Sequence, residues 1–240
     1  MRFQRLGFAV ALLAIMMGMA GRCAAACTKA SFTGVWGFQI GTAVGQLTSD
    51  GNGHITAGSD TVNQNGTVIS QTFTGTYTVV TNCTGKLTLN FTGGGSTTAS
   101  FVLDNANKGA QIVDTTAGAS AEGAAVAQGT VTCGLTGTKQ TFAALLLGQT
   151  TTALVDYVAQ VVLDGAGHVT GSGTFDVGGT AHAATITGTY TENTNCTGTI
   201  RMTPQGLSAL NFAFVVVNAG SELLLVETDS TASVFGNMQR

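Results

Sequence analysis

Gly75-Thr-Tyr-Thr-Val-Val-Thr-Asn-Cys-Thr-Gly85 returns 113 residues later as Gly188-Thr-Tyr-Thr-Glu-Asn-Thr-Asn-Cys-Thr-Gly198, identical at nine of eleven positions. Upstream, Asp50-Gly-Asn-Gly-His54 returns as Asp164-Gly-Ala-Gly-His168, and downstream Val113-Asp-Thr matches Val226-Glu-Thr. A period this long exceeds that of solenoid or propeller units and marks a duplicated domain. The chain must therefore build the same fold twice. With a leader at residues 1–26, the expected division is repeat 1 over 27–129 and repeat 2 over 130–240.

Each repeat reads as antiparallel β-structure. Short alternating runs are separated by Gly, Asn and Asp, and no stretch sustains a helical period. Strands are expected near 33–41, 44–49, 54–62, 67–80, 85–91, 98–104, 109–115 and 120–128. In the second repeat they fall near 140–147, 154–163, 168–176, 180–192, 197–203, 209–217, 221–228 and 232–238. Asp50-Gly and Asp164-Gly serve as turns, the aspartate accepting local backbone bonds and the glycine taking positive φ. Eight strands joined by short links form a meander, which closes most simply into an up-and-down barrel. The fold class is thus all-β, with two tandem antiparallel barrels of about eight strands each.

The alternation assigns the faces. Ile69, Phe73, Tyr77 and Val79 share one face of a strand whose other face is Thr72, Thr74, Thr76 and Thr78. Trp36, Phe38 and Ile40 align inward on the first strand, as do Leu87, Leu89 and Phe91 on the fifth. In the second copy Ile186 and Tyr190 point inward, and His182, which aligns with Ile69, is expected to do the same. Stiff β-branched threonine suits the solvated face.

Gly34-Val-Trp36 heads the first strand of this meander. It resembles the Gly-x-Trp opening of calycin barrels, the lipocalins and avidins. The second repeat departs from it, having Phe142-Ala-Ala in the corresponding region. The duplicated Asp-Gly-x-Gly and Gly-Thr-Tyr-Thr pattern also resembles exported proteins of soil bacteria, which implies no activity. The calycin resemblance implies barrels that hold a small apolar or aromatic molecule. Its contacts would come from Trp36, Phe38, Phe73, Tyr77 and Phe101 in one barrel and Tyr157, His182, Tyr190 and Phe214 in the other. A structural or surface-interaction module with filled barrels is the alternative, since small barrels can be packed solid. An enzyme ranks third.

The N-terminus reads as a processing segment: Arg2 and Arg5, an apolar run from Leu6 to Ala20, then Ala24-Ala25-Ala26 as a cleavage site. That run is shorter than a membrane span needs. Cleavage would remove three of the nine basic residues and none of the twelve acids, leaving net charge −6. A sparse acidic surface argues against nucleic acid, which requires clustered Lys and Arg. Paired aromatic girdles are missing and the outer strand faces are threonine-rich, unlike an outer-membrane pore. A secreted or periplasmic location follows.

Four cysteines remain, two per repeat, with Cys83 and Cys196 in the duplicated motif. The economical pairing is Cys27–Cys83 and Cys133–Cys196, in an oxidising compartment. Closing loops of this length stabilises each repeat by about 4 kcal/mol on the chain-entropy argument. Metal binding is disfavoured without a C-x-x-C or a Cys-His cluster. Lipidation of Cys27 is the other rival, disfavoured because its counterpart Cys133 cannot be lipidated.

Catalytic signatures are lacking: no nucleophile elbow, no His-Glu-x-x-His, no phosphate-cradling glycine loop and no dinucleotide fingerprint. No cofactor is expected. His54 and His168, each following an Asp-Gly-x-Gly turn, read as solvated hairpin residues in preference to acid/base pairs with their aspartates. Asp50 and Asp164 are the acids read as kept in both copies, while Asp156, Glu222 and Glu227 read as markers of strand ends. Two runs, Phe212–Val217 and Leu223–Val226, are apolar on both faces. They require cover, from the other repeat, from a second copy of the chain or from a partner.

Overall fold

The computed structural model describes residues 26–64, 66–104, 108–129, 133–150, 152–229 and 232–240. Residues 1–25 of the proposed leader (1–26), and residue 130, where the second repeat is expected to begin, lie outside the described residues. The first barrel consists of β1 Thr33–Ile40, β2 Ala43–Asp50, β3 His54–Gln64, β4 Thr67–Val79, β5 Thr84–Phe91, β6 Ser96–Leu103, β7 Gly109–Asp114 and β8 Glu122–Ala127. The second consists of β9 Gln140–Thr150, β10 Leu154–Leu163, β11 His168–Val177, β12 Thr180–Glu192, β13 Thr197–Pro204, β14 Leu210–Val217, β15 Glu222–Glu227 and β16 Ala232–Gln239. Each strand pairs antiparallel with its neighbour in sequence, and β8 returns to β1 as β16 returns to β9. Both barrels are closed, so neither leaves a sheet edge along its whole length.

One end of each barrel is shut, and the duplicated residues build that end. In the first barrel a 3₁₀ turn (Lys29–Phe32) carries Phe32, fully buried, into the barrel. Its ring lies 4.6 Å from Trp36, 5.2 Å from Tyr77 and 5.1 Å from Phe101. Tyr77 donates its hydroxyl to the Lys29 carbonyl at 3.0 Å, and a Cys27–Cys83 disulfide ties the incoming segment to the β4–β5 turn. The second copy repeats the arrangement: Leu135 is the fully buried plug, Tyr190 donates to its carbonyl at 2.8 Å, and Cys133 bonds Cys196. Cys83 and Cys196 both have positive φ (68° and 65°), so the tight turn holding each bridge is reproduced as well.

The Asp-Gly-x-Gly turns belong to this closed end. Asp50 Oδ1 accepts the Asn52 and His54 N–H groups at 2.7 and 3.0 Å, and Asp164 does the same for Ala166 and His168. The Gly53 and Gly167 carbonyls then accept the N–H of Tyr77 and Tyr190, both at 2.8 Å. Turn, tyrosine and cysteine form one closure device, present twice.

The two all-apolar runs are resolved by the packing. Phe212, Phe214 and Val216 point into the second barrel, and Ala213, Val215 and Val217 point out of it. The outward set joins Leu224, Val226 and Val44 of β2 in a separate apolar cluster between the barrels. Gly37 permits the contact, since a Cβ there would stand 2.3 Å from Val217 Cγ1. These strands are thus covered within the chain, and the expectation that they could serve a second copy or a partner is corrected accordingly.

Asn63 pins the interface at one end. It is 1% exposed, donates Nδ2 to the Glu227, Asp229 and Ala232 carbonyls at 3.0–3.1 Å, and accepts the Gly66 N–H at 2.8 Å. At the other end Gln128 donates to the Val216 carbonyl at 3.0 Å. Asn63→Ala removes a buried amide that the Glu227 carbonyl and the half-buried Asp229 and Ala232 carbonyls share, and should cost about 1–3 kcal/mol in chemical denaturation.

Candidate functional site

Opposite the plug, each barrel opens. The first opens into a chamber of about 510 Å³ walled by Phe38, Leu47, Val62, Leu89, Phe91 and Ile112. The second opens into about 460 Å³ between Val155, Tyr157, Phe175, Val177, Leu207 and Leu210. Both lie within the usual range for small-molecule sites and share its largely apolar lining. Because Asn63 near the β3–β4 tip bonds the segment after β15, the two openings face the same side of the molecule.

A lip stands over each opening. Pairing of β4 with β5 ends at Phe73–Phe91, leaving Thr67–Thr72 paired with β3 only. Pairing of β12 with β13 ends at Ile186–Pro204, leaving Thr180–Thr185 paired with β11 only. These overshooting hairpins carry Ile69 and His182 past the rim, where both are exposed. His182 keeps the inward phase of its strand but has no barrel beneath it. The expectation of an inward imidazole is corrected for that reason.

The other expected lining residues are buried in the barrels. Trp36, Tyr77 and Phe101 form the floor around Phe32, and the Trp36 indole donates to the Thr33 carbonyl at 3.3 Å. Phe73 bridges floor and chamber, its ring 6.1 Å from Phe38 and 5.9 Å from Phe91. Phe38 lines the open chamber. In the second barrel Tyr190 and Phe214 belong to the packed core, while Tyr157 lines the chamber with Phe175, ring centroids 5.0 Å apart.

Carboxyl groups distinguish the chamber walls from ordinary core. Asp60 on β3 is 9% exposed. Its Oδ1 is enclosed without a donor among the described residues, and Oδ2 accepts a long 3.5 Å bond from Gln71 Nε2. Burial pushes its pKa up to about 6. Across the chamber Asp114 is satisfied, accepting the Thr116 N–H at 2.7 Å and the Thr97 hydroxyl at 3.3 Å. In the second barrel Glu227 is 1% exposed with Oε2 unpartnered among the described residues. Burial first, and the neighbouring Asp229 second, push its pKa up to about 8. Asp229 itself is held by the Asn211 N–H and side-chain amide at 2.9 and 2.7 Å.

Asp114 and Glu227 occupy the same place in the repeat, in Val-Asp-Thr and Val-Glu-Thr. The reading that only Asp50 and Asp164 are acids kept in both copies is therefore corrected; Glu227 does end β15, as read from the sequence, but it is buried there. Asp60 escaped notice for a different reason. From Ile55 the alternation puts residues 57, 59 and 61 inside, but the β3 register shifts between Ile55 and Gly58. A bulge exchanges the faces of a strand, and here it turns Asp60 inward.

His54 and His168 remain at the closed end, exposed, each bonded through Nδ1 to its aspartate Oδ2 at 2.9 and 2.8 Å. The His54 backbone N–H, then its ring, hold Asp50 well below the usual carboxylate range. The His168 and Ala166 N–H groups lower Asp164 to about 2. Both pairs brace turns remote from the chambers. Among the described residues no group of three or more His, Cys, Asp or Glu is placed to hold a metal. No helix among them is long and apolar enough to cross a membrane.

The class of protein is thus a pair of closed, eight-stranded antiparallel barrels of calycin-like form, stacked side by side in one chain. Among solved structures the chain is similar to isotype 1 transferrin binding protein B from serogroup B Neisseria meningitidis, with a TM-score of 0.36 and 10% identity. The match covers 82% of this chain and 65% of that one, so the chain spans about two-thirds or slightly less of that structure. No protein-family model matches the sequence, and no curated protein does.

Proposed function

We propose that this is an exported, non-enzymatic binding protein that takes a small apolar molecule into the open end of each barrel. One observation carries the reading: each barrel is plugged at one end and open at the other, into a chamber with apolar walls and a buried carboxyl. A barrel built only as a scaffold would be filled to both ends. In this reading Phe38 and Tyr157 touch the ligand directly, whereas Trp36, Phe73, Tyr77, Phe101, Tyr190 and Phe214 fix the floor and walls. The two disulfides and the apolar N-terminal run support export to an oxidising compartment. The barrels are proposed as separate folding units divided near residue 129.

The neutral apolar fluorophore N-phenyl-1-naphthylamine tests the reading. It should bind the mature chain saturably with micromolar affinity, on the order of −8 kcal/mol. Val62→Trp, which fills the first opening, should remove one of two sites. Unsaturable fluorescence would instead favour the filled structural module.

A further inference from the structure

The first chamber has a feature that apolar binding does not require. Among its described lining, the ionisable side chains are Asp60 and Asp114, and both are acids. The mature chain's basic residues are Lys29, Lys86, Lys108, Lys139, Arg201 and Arg240, and none lines it. Asp114 has its own donors, but the Asp60 carboxyl has only the long contact from Gln71. The residue facing Asp60 on β2 is Gly45, which offers no side chain; a Cβ there would stand 2.7 Å from Asp60 Cβ. On the other flank β4 supplies Gln71, which is neutral.

Burying a carboxylate without a partner costs several kcal/mol, and burial is normally accompanied by a counter-charge or a full set of donors. An asparagine or threonine would fill this place at lower cost. Among the described residues the chain supplies no counter-charge and only the one long bond from Gln71, which leaves Oδ1 for a group that enters with the ligand. Two acids and no base in an apolar wall favour a cation and repel an anion. We propose that the first barrel takes an amphiphilic amine, an apolar body with one protonated ammonium head, whose ammonium lies against the Asp60 carboxyl. The inference rests on the binding reading above. Asp60→Asn keeps the side-chain shape and removes the charge, which isolates the electrostatic contribution.

The probes are octylamine, octanol and octanoate, titrated calorimetrically into the mature chain at pH 7.5. Octylammonium should bind about 10- to 100-fold more tightly than octanol, the worth of a hydrogen bond to a charged group, and octanoate more weakly than either. Asp60→Asn should abolish the preference for octylammonium, so that octylammonium and octanol bind the variant with affinities within about twofold of each other. Val62→Trp should remove binding of all three at this barrel. Asp60→Asn also relieves a buried charge and should unfold no lower than the parent. Asp60→Leu provides the same comparison if it does. Equal affinity for octylamine and octanol, with both blocked by Val62→Trp, would overturn the amine inference while leaving the binding reading intact. Failure of all three probes to bind would overturn the binding reading itself, and the inference with it.

Discussion

Phe32→Ala should destabilise the first barrel by about 3–5 kcal/mol, the range for truncating a fully buried phenylalanine. Phe32 is inaccessible to solvent and stands within about 5 Å, ring to ring, of Trp36, Tyr77 and Phe101. It enters on a short turn held by one tyrosine hydroxyl and one disulfide, so little chain is free to collapse into the void. For a unit of about 100 residues the melting temperature should fall by on the order of 15 °C or more. Trp36 is the sole tryptophan, so its fluorescence reports this barrel alone. Its transition should move to lower temperature, while circular dichroism keeps a second transition from the other barrel, plugged by Leu135. A shift below about 1 kcal/mol would mean that the floor closes without the plug. A single merged transition would mean that the barrels do not unfold as separate units.

The strand order was legible because each barrel is a meander with one face to water. Threonines alternate with apolar residues along β4 and β12, and turn residues punctuate every link, so period and boundary agree. The closed end was legible for a second reason: the repeat preserves it. Gly-Thr-Tyr-Thr and Asn-Cys-Thr-Gly look like a signature of function, yet tyrosine and cysteine there serve closure, holding the plug segment by a hydroxyl and a disulfide. The open ends were less legible because the two copies differ there. The place on β11 equivalent to Asp60 is Gly173, which faces Ala184 as Asp60 faces Gln71, and a bulge that no turn residue announces moves Asp60 inside. His182 failed in the opposite sense. Alternation gives the face of a strand but not the height of the neighbouring strands, and β13 stops pairing at Pro204, four residues short of His182 on β12.

The same height rule separates the chamber carboxyls from the floor aromatics, while Phe38, Phe91, Tyr157 and Phe175 line the chambers beside the carboxyls. Trp36, Tyr77 and Tyr190 lie toward the plugged ends, where large rings fill a closed barrel efficiently. Asp60, Asp114 and Glu227 lie toward the rims, where a ligand or water can reach the group beside them. Residues that differ between copies at equivalent heights are then the ones that distinguish the two chambers. Gln71 and Asp60 serve the first, and Tyr157, Glu227 and Asp229 the second.

Glu227 should make the second barrel less stable as pH rises. The folded chain holds its proton up to about pH 8, because burial and the neighbouring Asp229 both oppose ionisation, while an ordinary glutamate releases it near 4.5. Between those values the folded state binds more protons than the unfolded state, so stability falls with pH. The contribution is fully present below about 4.5 and is lost progressively as pH rises through about 8. Where the two states differ by one proton, the slope approaches roughly 1.4 kcal/mol per pH unit. Glu227→Gln keeps a hydrogen-bonding side chain of the same size with no charge to bury, and should flatten the slope over pH 5–8. Well above pH 8 the variant should exceed the parent by about 5 kcal/mol, the loss accumulated at that slope between the two pKa values. Asp60→Asn, acting on the first barrel through a pKa near 6, should leave that slope in place. Denaturation at five pH values, followed by circular dichroism, separates these outcomes. Parallel pH profiles for parent and Glu227→Gln would show that Glu227 is ionised in the fold, and that the second chamber presents a charge at neutral pH and not a neutral acid.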